Sequence, residues 1–248
     1  MKYKTSKALA IIVMNLVVAA ALKAGPPGPE VGEPGSFGHN ILYMGAASGF
    51  IRLSHACTPA PTPVPPMTAN NDQCFVLNPQ PAPTDFDAPD ICRIMLPKKA
   101  TRTIIYPTLN FFVNYELKNQ TGAPQPNGVF NFFAVVSIES DALLDPSIID
   151  PATGDPANGK LTGVFTYNYR DDQTMDTGAR QRHQLTLVRA GNAGINKASL
   201  VAQGLSQAVV DNLFNSAMTL RMSVSGRGQL LTDPGTATIT PNMRLFGD

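Results

Sequence analysis

Two stretches of strict period-two alternation constrain this chain more than anything else in it. In residues 110–117, Phe111, Val113, Tyr115 and Leu117 alternate with Phe112, Asn114 and Glu116. In residues 130–139, Phe130, Phe132, Ala134, Val136 and Ile138 take one face, and Asn131, Phe133, Val135, Ser137 and Glu139 the other. Successive side chains of a strand point to opposite faces, so each run is read as a half-buried strand with one side on a core. With the turn-rich residues 119–128 between them, the two runs are expected to pair antiparallel across a long hairpin loop.

The same reading extends strands to residues 40–44, 50–53, 102–106, 161–169, 181–188, 219–225 and 236–245. In 219–225, Leu220, Met222 and Val224 point one way and Thr219, Arg221 and Ser223 the other. Pro241 lacks a ladder donor and implies an edge or a bulge in the last strand. Asp233-Pro234-Gly235 marks a turn ahead of it. The tandem units DPATG (150–154) and DPANG (155–159) read as consecutive turns capped by Asp and closed by Gly. One segment is helical. Between residues 196 and 217, Val201, Leu205, Val209 and Leu213 recur every fourth position, Ser199 and Ser206 can each cap a start, and Gly204 falls inside the pattern, which fits either one continuous helix or two short ones. The fold class these elements imply is all-β: an antiparallel β-sandwich of immunoglobulin-like or jelly-roll type. It carries a short helical insertion near 197–217, covering one end, and an irregular Pro-rich N-terminal part. The strands and their Asn/Gly/Pro turns resemble, in pattern alone, bacterial exported immunoglobulin-like sandwiches.

Most of the 22 prolines lie before residue 98. They set a Pro/Gly-rich linker at 25–36 and long irregular loops at 58–70 and 78–90 within a single domain over 37–248. Ahead of the linker, Lys2, Lys4 and Lys7 precede an apolar run over residues 8–22, and small residues gather at Ala19, Ala20, Ala21 and Ala24. This order is that of a signal peptide, expected over 1–24, and the apolar run is shorter than a spanning helix needs. No later run is long enough to cross a membrane, so the mature chain is expected to have no membrane span.

Removing the leader's lysines turns a slight basic excess, 19 Lys+Arg against 18 Asp+Glu, into a slight acidic one. That balance argues against nucleic acid as a partner. Charged residues are only 15% of the chain, so Thr, Ser, Asn, Gln and Pro must supply much of the surface. Export exposes the three cysteines, Cys57, Cys74 and Cys92, to an oxidising compartment. Cys57–Cys74 is the pairing expected, because it closes the Pro-rich loop between them; the third thiol is left buried or open to another chain.

Chemistry-bearing patterns are sparse. Asp141, Asp145, Asp150 and Asp155 are candidate calcium ligands in an acidic stretch, but their spacing fits no EF-hand register, and three of the aspartates around this stretch's turns precede proline. Asp171, Asp172 and Asp176 form a second acidic cluster, read as turn residues. His39, His55 and His183 pair at no metal-ligand spacing, and no G-x-S-x-G elbow is present. Arg180 and Arg182 share a strand face with Gln184 and Thr186, and Arg221 is expected on a comparable outer face. Tyr167 and Tyr169 continue the face of Phe165, which points to core packing rather than sugar stacking, and the chain has no Trp. No catalytic residue, metal or cofactor is assigned. The expectation is an exported, non-enzymatic structural or interaction protein of the cell envelope or the outside, with another envelope or extracellular protein as partner. The alternatives are a small-ligand or carbohydrate-binding module and, behind it, a secreted hydrolase.

Overall fold

Both long alternating runs form strands, and so does nearly every shorter one. The computed structural model describes residues 42–57, 72–191, 194–232 and 237–248. The expected leader (1–24), the linker (25–36), the loop at 58–70 and the turn at Asp233-Pro234-Gly235 lie outside the described residues. The strands build two packed sheets, with few helical residues, as an all-β sandwich does. The large sheet holds β1 (Leu42–Ser48), β2 (Phe50–Ser54), β3 (Asp72–Val76), β5 (Ile104–Lys118), β8 (Arg180–Ala190), β9 (Ile195–Asn196) and β11 (Ala237–Gly247). Its order is β3-β2-β11-β5-β8, with β1 also on β11 and β9 on β5. The small sheet, β4-β10-β6-β7, holds β4 (Thr84–Leu96), β6 (Gln125–Glu139), β7 (Lys160–Met175) and β10 (Met218–Gln229). All described pairings are antiparallel except β2 with β3.

The expected hairpin between the two alternating runs does not form. β5 belongs to the large sheet and β6 to the small one, so the runs face each other across the core. Phe111 meets Phe132 at 5.1 Å between ring centroids, and Tyr115 stacks on Phe130 at 4.2 Å. Each such ring buried on folding contributes about 1.5–3 kcal/mol. Asn119 turns the chain from one sheet to the other. It is fully buried, its Nδ2 donates to the carbonyls of Ala123 (2.9 Å) and Met175 (3.1 Å), and its Oδ1 accepts from the Thr121 amide (2.9 Å). Those bonds satisfy backbone groups that a sheet-to-sheet crossing would otherwise strand in the interior.

Proline behaves differently from expectation at two places. The irregular stretch expected over 78–90 ends at Thr84, where β4 begins, and Pro89 lies inside that strand. β4 is an edge strand, and its register shifts between the pairs Met222↔Cys92 and Val224↔Ala88, with Asp90 at φ 55°. An edge with a bulge tolerates the missing donor. Pro241, by contrast, lies in a central strand, opposite Phe111 on β5. On its other side β11 passes from β2, last paired at Ile239↔Ile51, to β1, first paired at Asn242↔Ser48. Pro241 faces that junction, where its carbonyl accepts from the Gly49 amide at 3.0 Å.

The helical insertion is two helices, α1 (Lys197–Ala202) and α2 (Gln207–Asn215), broken at Gly204 with φ +113°. Ser206 caps α2. Ser199 is not a cap. Asn196 holds that position, and Ser199 completes its capping box from the third residue of α1. The break shifts the helical phase, so Leu200, Leu205, Val210, Leu213 and Phe214 are buried, rather than the even four-residue ladder read from the sequence. The helices pack on β9 and on the 3-10 turn Asp141–Leu143, closing the end where β5 starts and β6 finishes. No helix among the described residues is long and apolar enough to cross a membrane.

Candidate interaction surface

The residues singled out as possible calcium ligands are used by the backbone around them. Asp141 opens the 3-10 turn that Ser140 caps. Asp145 accepts from the amide (2.9 Å) and hydroxyl (2.7 Å) of Ser147, which hold its carboxyl below the usual range. Asp150 is buried and accepts from the amides of Ala152 (3.1 Å) and Thr162 (2.9 Å). The Asp155 carbonyl accepts from the Asp150 amide at 2.8 Å, closing the first DPATG turn as a small hairpin. Among the described residues no three His, Cys, Asp or Glu side chains converge as a metal site would require.

Cys57 and Cys74 form a disulfide, with their Cα atoms 5.6 Å apart. Cys92 is a free, buried thiol, pushed up to about 12 by burial and so held far from the reactive thiolate. His55 is exposed beyond the end of β2. Tyr167 and Tyr169 turn inward: Tyr167 stacks on Phe111 at 5.0 Å. Tyr169 belongs to a cluster that no sequence spacing announced, at the flank between β7 and β8. There the Tyr115 hydroxyl donates to Asp171 (2.5 Å) and lies 2.8 Å from the Tyr169 hydroxyl. His183 stacks on the Tyr115 ring at 4.7 Å, with its Nε2 3.6 Å from Asp171. Burial, followed by the bonds to Asp171 and Tyr169, raises the Tyr115 hydroxyl far above the ordinary phenol range. This cluster joins the two sheets along an open side.

The two outward faces of the sandwich differ in kind. On the small sheet, Arg221 bridges Asp90 and Glu139, each at 2.6 Å, and Arg227 forks onto Asp85 at 2.6 and 3.0 Å. Arg93 pairs with Asp90, and Arg170 with Asp172. This face neutralises itself. The expectation that Arg221 lies on a face like that of Arg180 is met only in being outward; it belongs to the opposite sheet.

The large sheet presents no such network around its centre. Phe112 is 56% exposed between Thr186 of β8 and Thr240 of β11, and Val188 is 59% exposed beside Asn110. Asn110 continues into Asn242 and Ser48, and Asn114 lies between Gln184 and Thr238. An aromatic ring and a Val therefore stand out from a flat field of amides and hydroxyls. In that field the Asn242 Oδ1 and the Arg244 Nε are buried and find no hydrogen-bond partner among the described residues. At one end, Arg180 and Arg182 flank Glu116, whose carboxylate accepts from Arg180 (2.7 Å) and Thr232 (3.1 Å). These contacts, the Arg180 bond first, hold Glu116 below the usual carboxylate range.

A cleft of about 580 Å³ opens elsewhere, at one end of the small sheet. Exposed Met95 and Leu144 line it together with Glu139, Asp141, Asn158 and Lys160.

No family model and no curated protein matches the chain. Among solved structures, a chain of the IBDV T13 viral particle is similar over 76% of this chain and 43% of its own length, at 10% identity and TM-score 0.15. A chain of the infectious bursal disease virus Gx strain is similar over 77% and 37%, at 10% identity and TM-score 0.17. This chain thus spans less than half of either.

Proposed function

We propose that this is an exported β-sandwich protein with a non-enzymatic structural or interaction role, in the cell envelope or outside the cell. It engages a partner protein through the outward face of its large sheet. One observation carries this reading: Phe112 and Val188 stand exposed among amides and hydroxyls at the centre of this face, while on the opposite face Arg221 and Arg227 are tied into ion pairs. Exposed aromatic and aliphatic side chains in a flat polar field suit a protein interface, where a ring buried at the centre supplies most of the affinity. Export is supported by the order of the leader and by the Cys57–Cys74 disulfide, a bond favoured in oxidising compartments.

Gentle fractionation of the source cells, following the size of the mature protein and what accompanies it, tests the proposal. Recovery in a large envelope or surface assembly supports it, and recovery as a free soluble monomer overturns it. The cleft beside Met95 and Leu144 favours a second reading, a small-ligand module. That reading predicts thermal stabilisation of the purified protein by one class of sugar or ion, and loss of that stabilisation in Asp141→Asn.

A further inference from the structure

The structure assigns the free edge of β8 as a docking strip for an extended, acidic segment of a partner protein, added as a further strand of the large sheet. This deepens the interaction reading above and rests on it. β8 pairs with β5 without interruption, from Thr108↔Ala190 to Lys118↔Arg180, and among the described residues no strand pairs with its other side. Half of its backbone donors and acceptors therefore face outward, which is the template that β-augmentation uses.

The other edges are unlike it. β1, which pairs only with β11, has seven residues and β3 has five, and neither carries an arginine. β4 is broken by Pro89 and the bulge at Asp90. β7 is long, but its Arg170 is paired with Asp172, and its Asp171 is held by Tyr115. β8, with the sequence RQRHQLTLVRA, carries Arg180, Arg182 and Arg189 and no carboxylate. Arg180 is matched by Glu116 across the ladder. Arg182 makes no ion pair among the described residues, and Arg189 lies over the Phe165 ring, 5.4 Å from its centroid, with no carboxylate beside it.

Arg182 thus stands opposite a carboxylate already bonded by Arg180 and Thr232, and Arg189 makes no ion pair among the described residues, so the open edge keeps a basic excess. A second copy bringing its own β8 would add a strand with three arginines and no carboxylate, so the basic edge opposes self-pairing while it attracts carboxylates. The strip is continuous with the proposed face, because outward side chains of an added strand would lie beside Val188 and Thr186, next to Phe112. Charge selects the partner, and backbone pairing holds it.

The test uses the full chain and two capped synthetic peptides of the length of β8. One alternates Glu with Val and Thr, and the other carries Gln in place of every Glu. The acidic peptide is expected to bind about tenfold or more tightly than the Gln peptide, to weaken as salt is added, and to slow hydrogen exchange at β8 amides. In the double variant Arg182→Gln, Arg189→Gln, with folding checked by circular dichroism, its affinity is expected to fall to that of the Gln peptide. If that variant misfolds, the salt dependence on the unaltered chain decides alone. Equal binding of the two peptides, no salt dependence, or no protection of β8 overturns the proposal. So does β8 protection that grows with protein concentration in the absence of peptide, since the occupant is then a second copy. If β8 stays unprotected while the protein is still recovered in a large assembly, the edge assignment alone fails. If β8 is protected but the native protein is a free monomer, the edge assignment stands and the assembly reading fails.

Discussion

The two outward faces are built from the same kind of strand and end in opposite states. On the small sheet, β4, β10 and β6 bring Asp85, Asp90 and Glu139 within reach of Arg221 and Arg227, and the charges are spent on one another. On the large sheet, β5, β8 and β11 bring amides and hydroxyls together around Phe112, and the three arginines of β8 share one carboxylate, Glu116. Both faces are compatible with a folded monomer. Both leave some apolar area exposed, Phe133 and Met95 on the small sheet and Phe112 and Val188 on the large one, but only on the small sheet are the arginines around it tied into ion pairs. Alternation alone does not reveal that difference, because either pattern reads as apolar inside and polar outside.

The sharpest way to break the contrast is one substitution on each face. Phe112→Asp is expected to weaken assembly at least about tenfold, an effect of about 1.4 kcal/mol or more. Phe133→Asp, at a ring 43% exposed on the small sheet, is expected to leave assembly unchanged. Size-exclusion profiles of the native complex, with urea unfolding as a control for folding, check both. Equal loss from the two variants would remove the distinction between the faces. The next effect is on stability. Arg221 is only 28% exposed and joins three strands through Asp90 and Glu139. Arg221→Ala leaves Asp90 with Arg93 alone and Glu139 without its ion pair, and is expected to lower stability by about 1 kcal/mol in urea titration, with no effect on assembly.

How much of this was legible beforehand follows from what a period of two can encode. The buried rows Phe111–Leu117 and Phe130–Ile138 were readable because one-sided burial leaves its mark on every second residue. Which sheet each strand joins was not. Both rows present equally apolar faces, so pairing side by side and packing face to face look the same in sequence. The decision falls to Asn119, whose side chain holds the crossing. The Cys57–Cys74 bond followed from its short Pro-rich loop, whereas Gly204 left one helix and two equally open, and its positive φ decides for two. The outward row Arg180, Arg182, Gln184 and Thr186 was visible, yet Phe112 lies on another strand and joins it only through the β5–β8 register. The Tyr115, Tyr169, Asp171 and His183 cluster draws on three strands from both sheets and has no local signature.

A smaller effect separates the faces by pH. Glu116 is nearly buried on the large sheet, and its bonds from Arg180 and Thr232 favour the ionised form, so its carboxyl lies below its ordinary value. A depressed carboxyl contributes stability that is complete above the unfolded-state range and lost as pH falls through the folded value. Glu116→Gln is therefore expected to destabilise the protein at neutral pH by less than Arg221→Ala does. It should also flatten the decline in stability on the acid side, read from urea midpoints between neutrality and acid. An unchanged acid limb would mean that the carboxylates of the small sheet carry that decline instead.

The smallest expected effect lies at the Arg227–Asp85 pair. Its two bonds are short and forked, but the side chains are 50% and 66% exposed, and water and salt compete for both. The Arg227 bond is the main cause of the lowered Asp85 carboxyl, with burial opposing it. Arg227→Ala is expected to return Asp85 toward the ordinary carboxylate range in an NMR titration, while the urea midpoint stays within error of the unaltered protein. A clear loss of stability would mean that the ion pairs of the small sheet hold it together as well as neutralise it. The contrast between the faces would then be one of structural against binding charge, because the arginines of β8 would still have to be removable without unfolding the chain.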